Sequence, residues 1–182
     1  KRAKDLTHQL LTFAKGGSPV KALIRVGDLI QETVSFALRG SASRYELHLP
    51  DDLWAAEVDA GQMAQVFQNL VINADQAMPE GGTITVRASQ LKLDAGNPVG
   101  LAAGPYLKIE VQDTGMGIPP KHLERIFDPY FTTKSKGSGL GLTTSFSIVT
   151  KHGGHISASS QVGQGSLFTV YLPARENTVL PR

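Results

Sequence analysis

Two different periods of apolar and polar positions run along the chain and predict helices and strands in mixed order. Apolar residues spaced three and four positions apart predict helices. Alternation at every second position, in short runs bounded by turn residues, predicts strands. The predicted helices cover residues 1–15, 28–38, 59–78 and 140–151. The predicted strands cover residues 22–24, 44–49, 54–58, 83–91, 106–112, 155–160 and 166–172.

The order of these elements predicts a fold of the α/β class in its α+β form. Strands 83–91 and 106–112 are suited to an antiparallel hairpin, and so are strands 155–160 and 166–172. The amphipathic helices need an apolar surface to cover. We therefore expect a two-layer sandwich, in which about three helices cover one face of a mixed, largely antiparallel sheet.

Glycine and proline mark the boundaries of the main domain. The run Gly16–Pro19 ends the first helix, and a helix of 15 residues cannot form a core alone. We expect this helix to pack on sequence upstream or on another subunit. The main domain is predicted to cover residues 20–173, with a disordered tail at residues 174–182. A segment rich in glycine, proline and lysine at residues 115–139 is predicted to be a long loop.

Composition narrows the classes of function. Apolar residues make up 41% of the 182 positions, which is enough for a sizeable core. The chain has no cysteine, so disulfides, thiolate metal sites and cysteine nucleophiles are excluded. A net charge of +2 gives no reason to expect a nucleic-acid partner. Because the chain starts at Lys1 without a methionine, we expect it to be a fragment of a longer protein.

The longest predicted helix carries two asparagines on one face. Asp59 is a suitable N-cap for this helix, and Asn69 and Asn73 lie four residues apart. Amide oxygens are reasonable hard ligands for Mg²⁺, which takes few protein ligands beside phosphates and water. The alternative is that both are solvated polar residues on the shoulder of the helix. Asparagine is a poor helix former, and this favours the functional interpretation modestly.

A second candidate follows the predicted strand at residues 106–112. Asp113 lies at the end of that strand, where its carboxylate could accept a hydrogen bond from an exocyclic amine such as that of adenine. Gly115 and Gly117 allow positive φ and close approach of the backbone. A plain Asp-Thr-Gly turn explains the same residues equally well.

Two further segments have features of a phosphate site. Residues 127–134 place aromatic side chains beside Lys134, which suits a mobile lid whose lysine reaches a phosphate, or a packed loop with a solvated lysine. Residues 137–142 place three glycines before a helix, where backbone N–H groups and the helix dipole favour an anion. The spacing is neither that of a P-loop nor that of a dinucleotide-binding loop.

In this order and spacing, the four segments resemble the catalytic, ATP-binding domain of sensor histidine kinases, in the superfamily shared with gyrase, Hsp90 and MutL ATPases. The resemblance covers residues 20–173. Residues 68–74 are similar to the N box, 113–117 to the G1 box, 127–134 to the F box and 137–141 to the G2 box. The fold that the resemblance implies contains a left-handed βαβ unit.

The resemblance also implies a set of roles. Asn73 would hold Mg²⁺, Asn69 would assist at the triphosphate, Asp113 would bind adenine, and Lys134 with the G2 backbone would hold phosphates. Residues 118–138 would form the ATP lid. The implied catalytic residues are Asn69, Asn73 and Lys134. The implied nucleotide-binding residues are these three with Asp113, Gly115, Gly117, Ile118, Phe127, Thr132, Thr133, Gly137, Ser138, Gly139, Leu140, Gly141 and Leu142.

A sensor kinase of this kind would be a homodimeric phosphotransferase with this domain in the cytoplasm, and the full-length protein could be anchored in a membrane. It would move the γ-phosphoryl group of ATP to a histidine on a dimerisation hairpin, and from there to a response regulator. Residues 1–19 resemble the end of that hairpin and its linker. His8 is not followed by an acidic residue, so we expect the acceptor to lie upstream. Two alternatives stay open: a superfamily ATPase that drives a conformational cycle, and a non-catalytic nucleotide sensor.

Overall fold

A computed structural model describes residues 17–131 and 140–182 of the chain. The predicted helix at residues 1–15 lies outside the described residues. Seven strands and four helices, one of them a single turn, occupy the described part. In chain order they are β1 (Ala22–Ile24), α1 (Val26–Ala37), β2 (Arg44–His48), β3 (Ala56–Val58), α2 (Ala60–Gln76), β4 (Thr83–Leu93), β5 (Gly104–Gln112), α3 (Pro120–Leu123), α4 (Gly141–Lys151), β6 (His155–Gln161) and β7 (Gly165–Pro173).

The strands form one large and one small sheet. The large sheet has five strands in the order β2-β4-β5-β7-β6, and β1 pairs with β3 in a separate antiparallel pair. Strands β2 and β4 are parallel, whereas every other neighbouring pair of the large sheet is antiparallel. The prediction of a mixed, largely antiparallel sheet with two hairpins is therefore confirmed. Helix α2 lies between the parallel strands β2 and β4 in the chain, and the three elements form a βαβ unit. The left-handed crossover of this unit stays a prediction.

The core lies between this sheet and the helices. Alternate residues of the central strands are buried, as the period of two requires. Helix α2 buries an apolar stripe, because residues three and four apart share one face. The stripe consists of Met63, Val66, Phe67, Leu70, Val71 and Ala74, and the predicted stripe continues to Met78, which is buried just after the helix. The residues of the three central strands that belong to the hydrophobic core are Ile84, Val86, Ala88, Leu107, Ile109, Val111, Phe168, Val170 and Leu172. The helix side contributes Val26, Ile30, Val34, Met63, Val66, Phe67, Leu70, Val71, Ala74 and Ile148.

Some element boundaries differ from the predicted ones. Helix α1 begins at Val26 and not at residue 28, because Val26 extends the buried stripe of Ile30 and Val34. Strand β3 begins at Ala56 and not at residue 54, because the N–H of Trp54 donates to the Gln90 side chain at 2.6 Å. The predicted loop at residues 115–139 contains the short helix α3, which starts after Pro119 with proline in its first turn.

The C-terminal tail packs against the domain, so the expectation of disorder after Pro173 is wrong. Ala174 forms an isolated antiparallel bridge with Ala56, and the N–H of Arg175 donates to the carbonyl of Ala55 at 2.8 Å. The N–H of Ala55 in turn donates to the carbonyl of Thr178 at 2.6 Å. The tail contacts β3 mainly through backbone groups, which leave no side-chain pattern in the sequence.

Within the described residues, no helix combines the length and the apolar character that crossing a membrane requires.

Candidate nucleotide site

Helix α2 carries the N box and is fixed at its start by Asp59. The Asp59 carboxylate accepts from the N–H of Gln62 at 3.1 Å, as predicted for an N-cap. Asn69 and Asn73 are both half-buried beside the apolar stripe. Both amides therefore lie at the edge of the packed face, where they can border a cleft.

Asn69 connects α2 to the start of α4. Its amide nitrogen donates to the carbonyl of Gly141 at 3.0 Å and approaches the Ser145 hydroxyl at 3.4 Å. A carbonyl can only accept, so the amide must present its nitrogen on this side. The contact brings the N box to the residue that ends the G2 box, 72 positions further along the chain.

Asn73 lies one turn beyond Asn69 and offers the amide that suits a metal. The described residues contain no group of three or more His, Cys, Asp or Glu side chains that could hold a metal ion. A magnesium ion at Asn73 would thus need most of its oxygen ligands from phosphates and water. Mg²⁺ usually binds in this manner, so the residues present fit an ion that enters with a nucleotide.

Asp113 is a buried carboxylate at the end of β5, with an exposed fraction of only 2%. Its Oδ1 accepts from the N–H of Gly115 at 2.9 Å and from the N–H of Ser166 at 3.2 Å. The N–H of Asp113 donates to the carbonyl of Ser166 at 2.9 Å. Buried carboxylates need such donors. The two bonds to Oδ1 orient the side chain, and the backbone bond fixes the end of β5 beside β7.

The two glycines of the G1 box are required for different reasons. Gly117 has φ +77°, and a Cβ there would lie 2.4 Å from the carbonyl oxygen of Gln161. Gly115 is not among the glycines with positive φ, so that part of the expectation is wrong for it. A Cβ at Gly115 would instead lie 2.5 Å from the carbonyl oxygen of Ala77. The G1 box therefore packs directly on the end of α2.

Phe127 of the F box is packed between α4 and β7. Its ring centroid lies 5.6 Å from that of Phe146 and 6.5 Å from that of Phe168, the latter edge-on. The Thr143 hydroxyl donates to the carbonyl of Phe127 at 2.9 Å. In the same segment, the Arg125 guanidinium lies over the Phe131 ring, with its central carbon 4.7 Å from the ring centroid. These contacts attach the start of the predicted lid to the domain.

The remaining predicted phosphate residues fall partly outside the described chain. Leu140 is buried with 1% exposed, and Gly141 and Leu142 open helix α4. The first N–H groups of any helix lack partners within the helix, and this position in the chain suits an anion. The residues that lie outside the described ranges are Thr132, Thr133, Lys134, Gly137, Ser138 and Gly139.

Two residues near Asp113 were missed by sequence reasoning. Ser160 and Ser166 are paired across β6 and β7, and their hydroxyl oxygens lie 2.9 Å apart. The N–H of Ile118, the residue after the G1 box, donates to the Ser160 hydroxyl at 2.7 Å. Serine is common on polar strand faces, and no motif spacing connects residue 160 with residue 118. Only the fold brings them together.

Comparison with known proteins shows to which family the chain is similar. Residues 58–176 match the family described as histidine kinase-, DNA gyrase B-, and HSP90-like ATPase. The chain is 38% identical over 179 residues to the sensor kinase CckA of Brucella abortus (strain 2308), covering 94% of this chain and 19% of the relative. It is 36% identical over 176 residues to the sensor histidine kinase ZraS of Escherichia coli (strain K12), covering 94% of this chain and 35% of that relative. The chain thus spans about a fifth to a third of these curated relatives.

Solved structures share the fold. The catalytic domain of histidine kinase ThkA, in a nucleotide-free form, superposes with a TM-score of 0.69 at 26% identity, covering 85% of this chain and 95% of that one. Full-length ShkA in complex with AMPPNP superposes with a TM-score of 0.77 at 23% identity, covering 97% of this chain and 37% of that one.

Proposed function

We propose that this chain presents the γ-phosphoryl group of ATP to an acceptor histidine. The chain belongs to the family of histidine kinase-, DNA gyrase B- and HSP90-like ATPases, and within it to the catalytic ATP-binding domains of sensor histidine kinases. The acceptor would lie on a dimerisation hairpin of the same or the partner subunit of a homodimer. The phosphoryl group would then pass to an aspartate of a response regulator. This part of the protein would work in the cytoplasm and without nucleic acid.

The observation that supports this proposal is the convergence of three boxes on helix α2. Near the middle of the helix, the Asn69 amide donates to the carbonyl of Gly141 at the G2 box. At its end, the carbonyl of Ala77 accepts from the N–H of Met116 in the G1 box at 3.3 Å. Between these two contacts lies Asn73. An adenine group, a metal and a phosphate chain could therefore be bound along one helix.

Each of these groups would have its own residues. The buried Asp113 carboxylate would accept from the exocyclic amine of adenine, and guanine offers a carbonyl at that position. Asn73 would hold Mg²⁺ with the phosphates, and Asn69 would border the triphosphate. Lys134 and the backbone of residues 137–141 would contact phosphates. When bound, Mg²⁺ supplies positive charge that stabilises the charge developing on the phosphoryl oxygens.

The contribution of the chain to catalysis would be positioning and charge stabilisation. In-line transfer breaks the bond between the γ-phosphorus and the β,γ-bridging oxygen, and a bond forms to an imidazole nitrogen of the acceptor. The electron pair of the broken bond stays on ADP. Oriented binding can lower such a barrier substantially, because the entropy of bringing the groups together is lost on binding.

The position of Asn69 favours transfer over hydrolysis. A hydrolytic enzyme needs a base to polarise the attacking water. An amide cannot serve as that base, and the nitrogen of this amide already donates to Gly141. The ATPase alternative is thereby weakened, whereas a non-catalytic nucleotide sensor needs a direct test.

The test is calorimetric titration of this chain with ATP and GTP, each with and without Mg²⁺. We expect ATP to bind selectively and Mg²⁺ to strengthen binding. Asp113→Asn keeps an amide oxygen as acceptor for Gly115 and Ser166 but loses the charge, so ATP should bind about tenfold to a hundredfold more weakly. Equal affinity for ATP and GTP, or wild-type affinity in D113N, would exclude the proposed adenine site.

Transfer itself is tested by adding a separately made histidine-bearing helical hairpin from a related sensor kinase, together with ATP labelled at the γ-phosphorus. Label on the hairpin that is stable to alkali and labile to acid would support phosphorylation of histidine. A hairpin in which the histidine is replaced by glutamine is the matched control. ATP binding without any transfer would favour the nucleotide-sensor alternative.

A further inference from the structure

The Ser160 hydroxyl makes three short contacts at the end of the β6–β7 hairpin. It accepts from the N–H of Ile118 at 2.7 Å. It donates to the carbonyl of Gly165 at 2.9 Å. Its oxygen also lies 2.9 Å from the hydroxyl oxygen of Ser166. These three partners come from the start of the predicted lid and from the first two residues of β7.

The donors and acceptors at Ser160 balance. A serine hydroxyl has one proton to donate and two lone pairs to accept with. With its proton on the carbonyl of Gly165, it can accept from Ile118 and from the Ser166 hydroxyl. All three hydrogen-bonding positions of the oxygen are then filled, which defines its geometry on every side.

The same cluster is in direct contact with Asp113. Oδ1 of Asp113 accepts from the N–H of Ser166 at 3.2 Å. A Cβ at Gly165 would lie 2.1 Å from the carbonyl oxygen of Asp113, so the start of β7 touches the backbone of the G1 box. On the other side, Ile118 is the first residue after that box. Ser160 thus bonds to the segments that flank the Asp113 carboxylate in space and in sequence.

We propose that Ser160 is a positioning residue for recognition of the nucleotide base, and that its hydroxyl holds the G1 backbone and Ser166 so that Asp113 meets adenine in one fixed orientation. This inference rests on the proposed role of Asp113 in binding ATP. Ser160 itself acts through Asp113 and through the backbone at Ile118. The expected ligand class is the adenine nucleotides, ADP as well as ATP, because the affected contacts are at the base.

The bonds of Ser160 differ from those that merely close a hairpin. Its bond to Ile118 leaves the hairpin altogether and spans 42 positions of the sequence. The neighbouring Ser159 lies on the same strand but is exposed. The two serines therefore form a matched pair with the same residue type, the same strand and different surroundings.

The experiment compares Ser160→Ala with Ser159→Ala and Ser160→Thr. Loss of the hydroxyl leaves the N–H of Ile118 and the carbonyl of Gly165 without this partner, so S160A should weaken binding about tenfold. ADP and ATP should lose the same factor, because both carry the same base. S159A and S160T, which keep the Ser160 hydroxyl or its equivalent, should bind ADP and ATP as the wild type does.

A second measurement needs no nucleotide. Amide hydrogen exchange of Ile118, followed by NMR, reports whether its N–H is hydrogen-bonded in the free protein. We expect faster exchange at Ile118 in S160A than in S159A, with both variants folded at the temperature of the measurement. A purely structural role would speed exchange at Ile118 and lower the unfolding midpoint, but would leave the nucleotide affinity of folded S160A at the wild-type value.

The outcomes separate the two proposals. Wild-type nucleotide affinity in S160A would overturn the role of Ser160 while leaving the proposed function intact. An unfolded S160A, or equal losses in S160A and S159A, would also overturn it, since the hydroxyl would then serve folding alone. If the wild-type chain itself binds no ATP, the proposed function fails. Exchange at Ile118 would then still tell whether the hydroxyl makes its contact.

Discussion

The His152 imidazole joins the end of helix α4 to the start of helix α2 through Asp59. Its Nε2 accepts from the backbone N–H of Asp59 at 3.0 Å, and its Nδ1 lies 2.8 Å from the carbonyl of Ile148. The carbonyl can only accept, so Nδ1 carries the proton and Nε2 does not. His152 is buried, with 2% exposed. The neutral ring is thus a connection between the two helices that bear the N and G2 boxes.

This connection predicts that stability falls in weakly acidic solution. Burial lowers the pKa of His152 from its ordinary 6.5, and nearby Lys21 lowers it further, while the bond to Ile148 and the charge of Asp59 raise it. The unfolded chain therefore binds this proton more readily than the folded one. The free energy of unfolding should decrease as pH falls below 6.5. The slope for one proton cannot exceed about 1.4 kcal/mol per pH unit.

Urea unfolding between pH 5 and pH 8, ~0.5 units apart, measures this slope. His152→Gln keeps an oxygen that can accept from Asp59 but cannot gain a proton, so its profile should be flatter over this range. His48→Gln, at an exposed position, is the matched histidine replacement that leaves the contact between the two helices intact. The Asp59 carboxyl does not contribute to the slope between pH 5 and pH 8, because its pKa lies below this range. Burial alone would raise its pKa, but the N–H groups of Gln62 and Val20 with His152 lower it below 3.8. An H152Q profile as steep as the wild type would contradict the assignment.

Gly117 and Gly163 offer a test of why the G1 box needs glycine. Both have positive φ, +77° and +82°. A Cβ at Gly163 has nothing within 4 Å, whereas a Cβ at Gly117 would lie 2.4 Å from a backbone oxygen. Gly163→Ala should cost only the conformational strain, about 1 kcal/mol of unfolding free energy. Gly117→Ala should cost at least about 2 kcal/mol more, because backbone must shift to remove the clash.

The glycine comparison is measured by urea unfolding of both variants. A similar loss in G117A and G163A would mean that the G1 segment yields easily, and that its packing on Gln161 contributes little. The nucleotide affinity of G117A tests in addition whether the position of Gly117 matters for binding. We expect it to fall, because displacement of Gly117 moves Ile118 and the start of the predicted lid.

Asn69→Asp tests whether a carboxylate at this position would introduce hydrolysis. The substitution removes the donor to Gly141 and places a negative charge within hydrogen-bonding distance of a carbonyl oxygen. We expect a loss of roughly 1–3 kcal/mol of stability. We expect no gain in release of phosphate from ATP, because a base is necessary but not sufficient and the repulsion from the carbonyl of Gly141 would displace the new carboxylate. Asn69→Ala, which removes the amide without adding charge, is the control. Phosphate release that rises above the wild-type rate in N69D, measured with a coupled assay, would show that the missing base alone prevents hydrolysis.

The sequence could predict the site residues that belong to local patterns. The stripe of α2, its cap at Asp59 and the glycines around Asp113 are all encoded in short stretches, because helix periodicity and turn geometry act over a few residues. The fold class followed from the order of those elements. The sequence alone therefore predicts that Asn69 lies on the longest helix and that Asp113 follows a strand.

Contacts between distant segments could not be predicted in this way. The pairing of Asn69 with Gly141, of Ser160 with Ile118 and of His152 with Asp59 each joins a side chain to a backbone group. A backbone N–H or carbonyl is present at nearly every residue, so the partner carries no signature in the sequence. The same reason explains the wrong expectation for the tail. Its sequence lacks an amphipathic period, and it is held by backbone bonds at Ala55 and Ala56 together with scattered arginine contacts such as Arg175–Glu57.

Removal of residues 177–182 tests the contribution of the tail to stability. The N–H of Ala55 donates to the carbonyl of Thr178 at 2.6 Å, and Ala55 has only 1% exposed. Loss of that acceptor leaves a buried N–H unpaired, and Arg25 also loses its contact with the carbonyl of Leu180. We expect the truncated chain to lose about 1–3 kcal/mol of unfolding free energy in urea. Arg182→Ala removes only an exposed ion pair with Asp51 and should cost less than about 1 kcal/mol. Equal stability of the truncated chain and R182A would mean that water replaces Thr178 at Ala55, and that β3 is held by its pairing with β1.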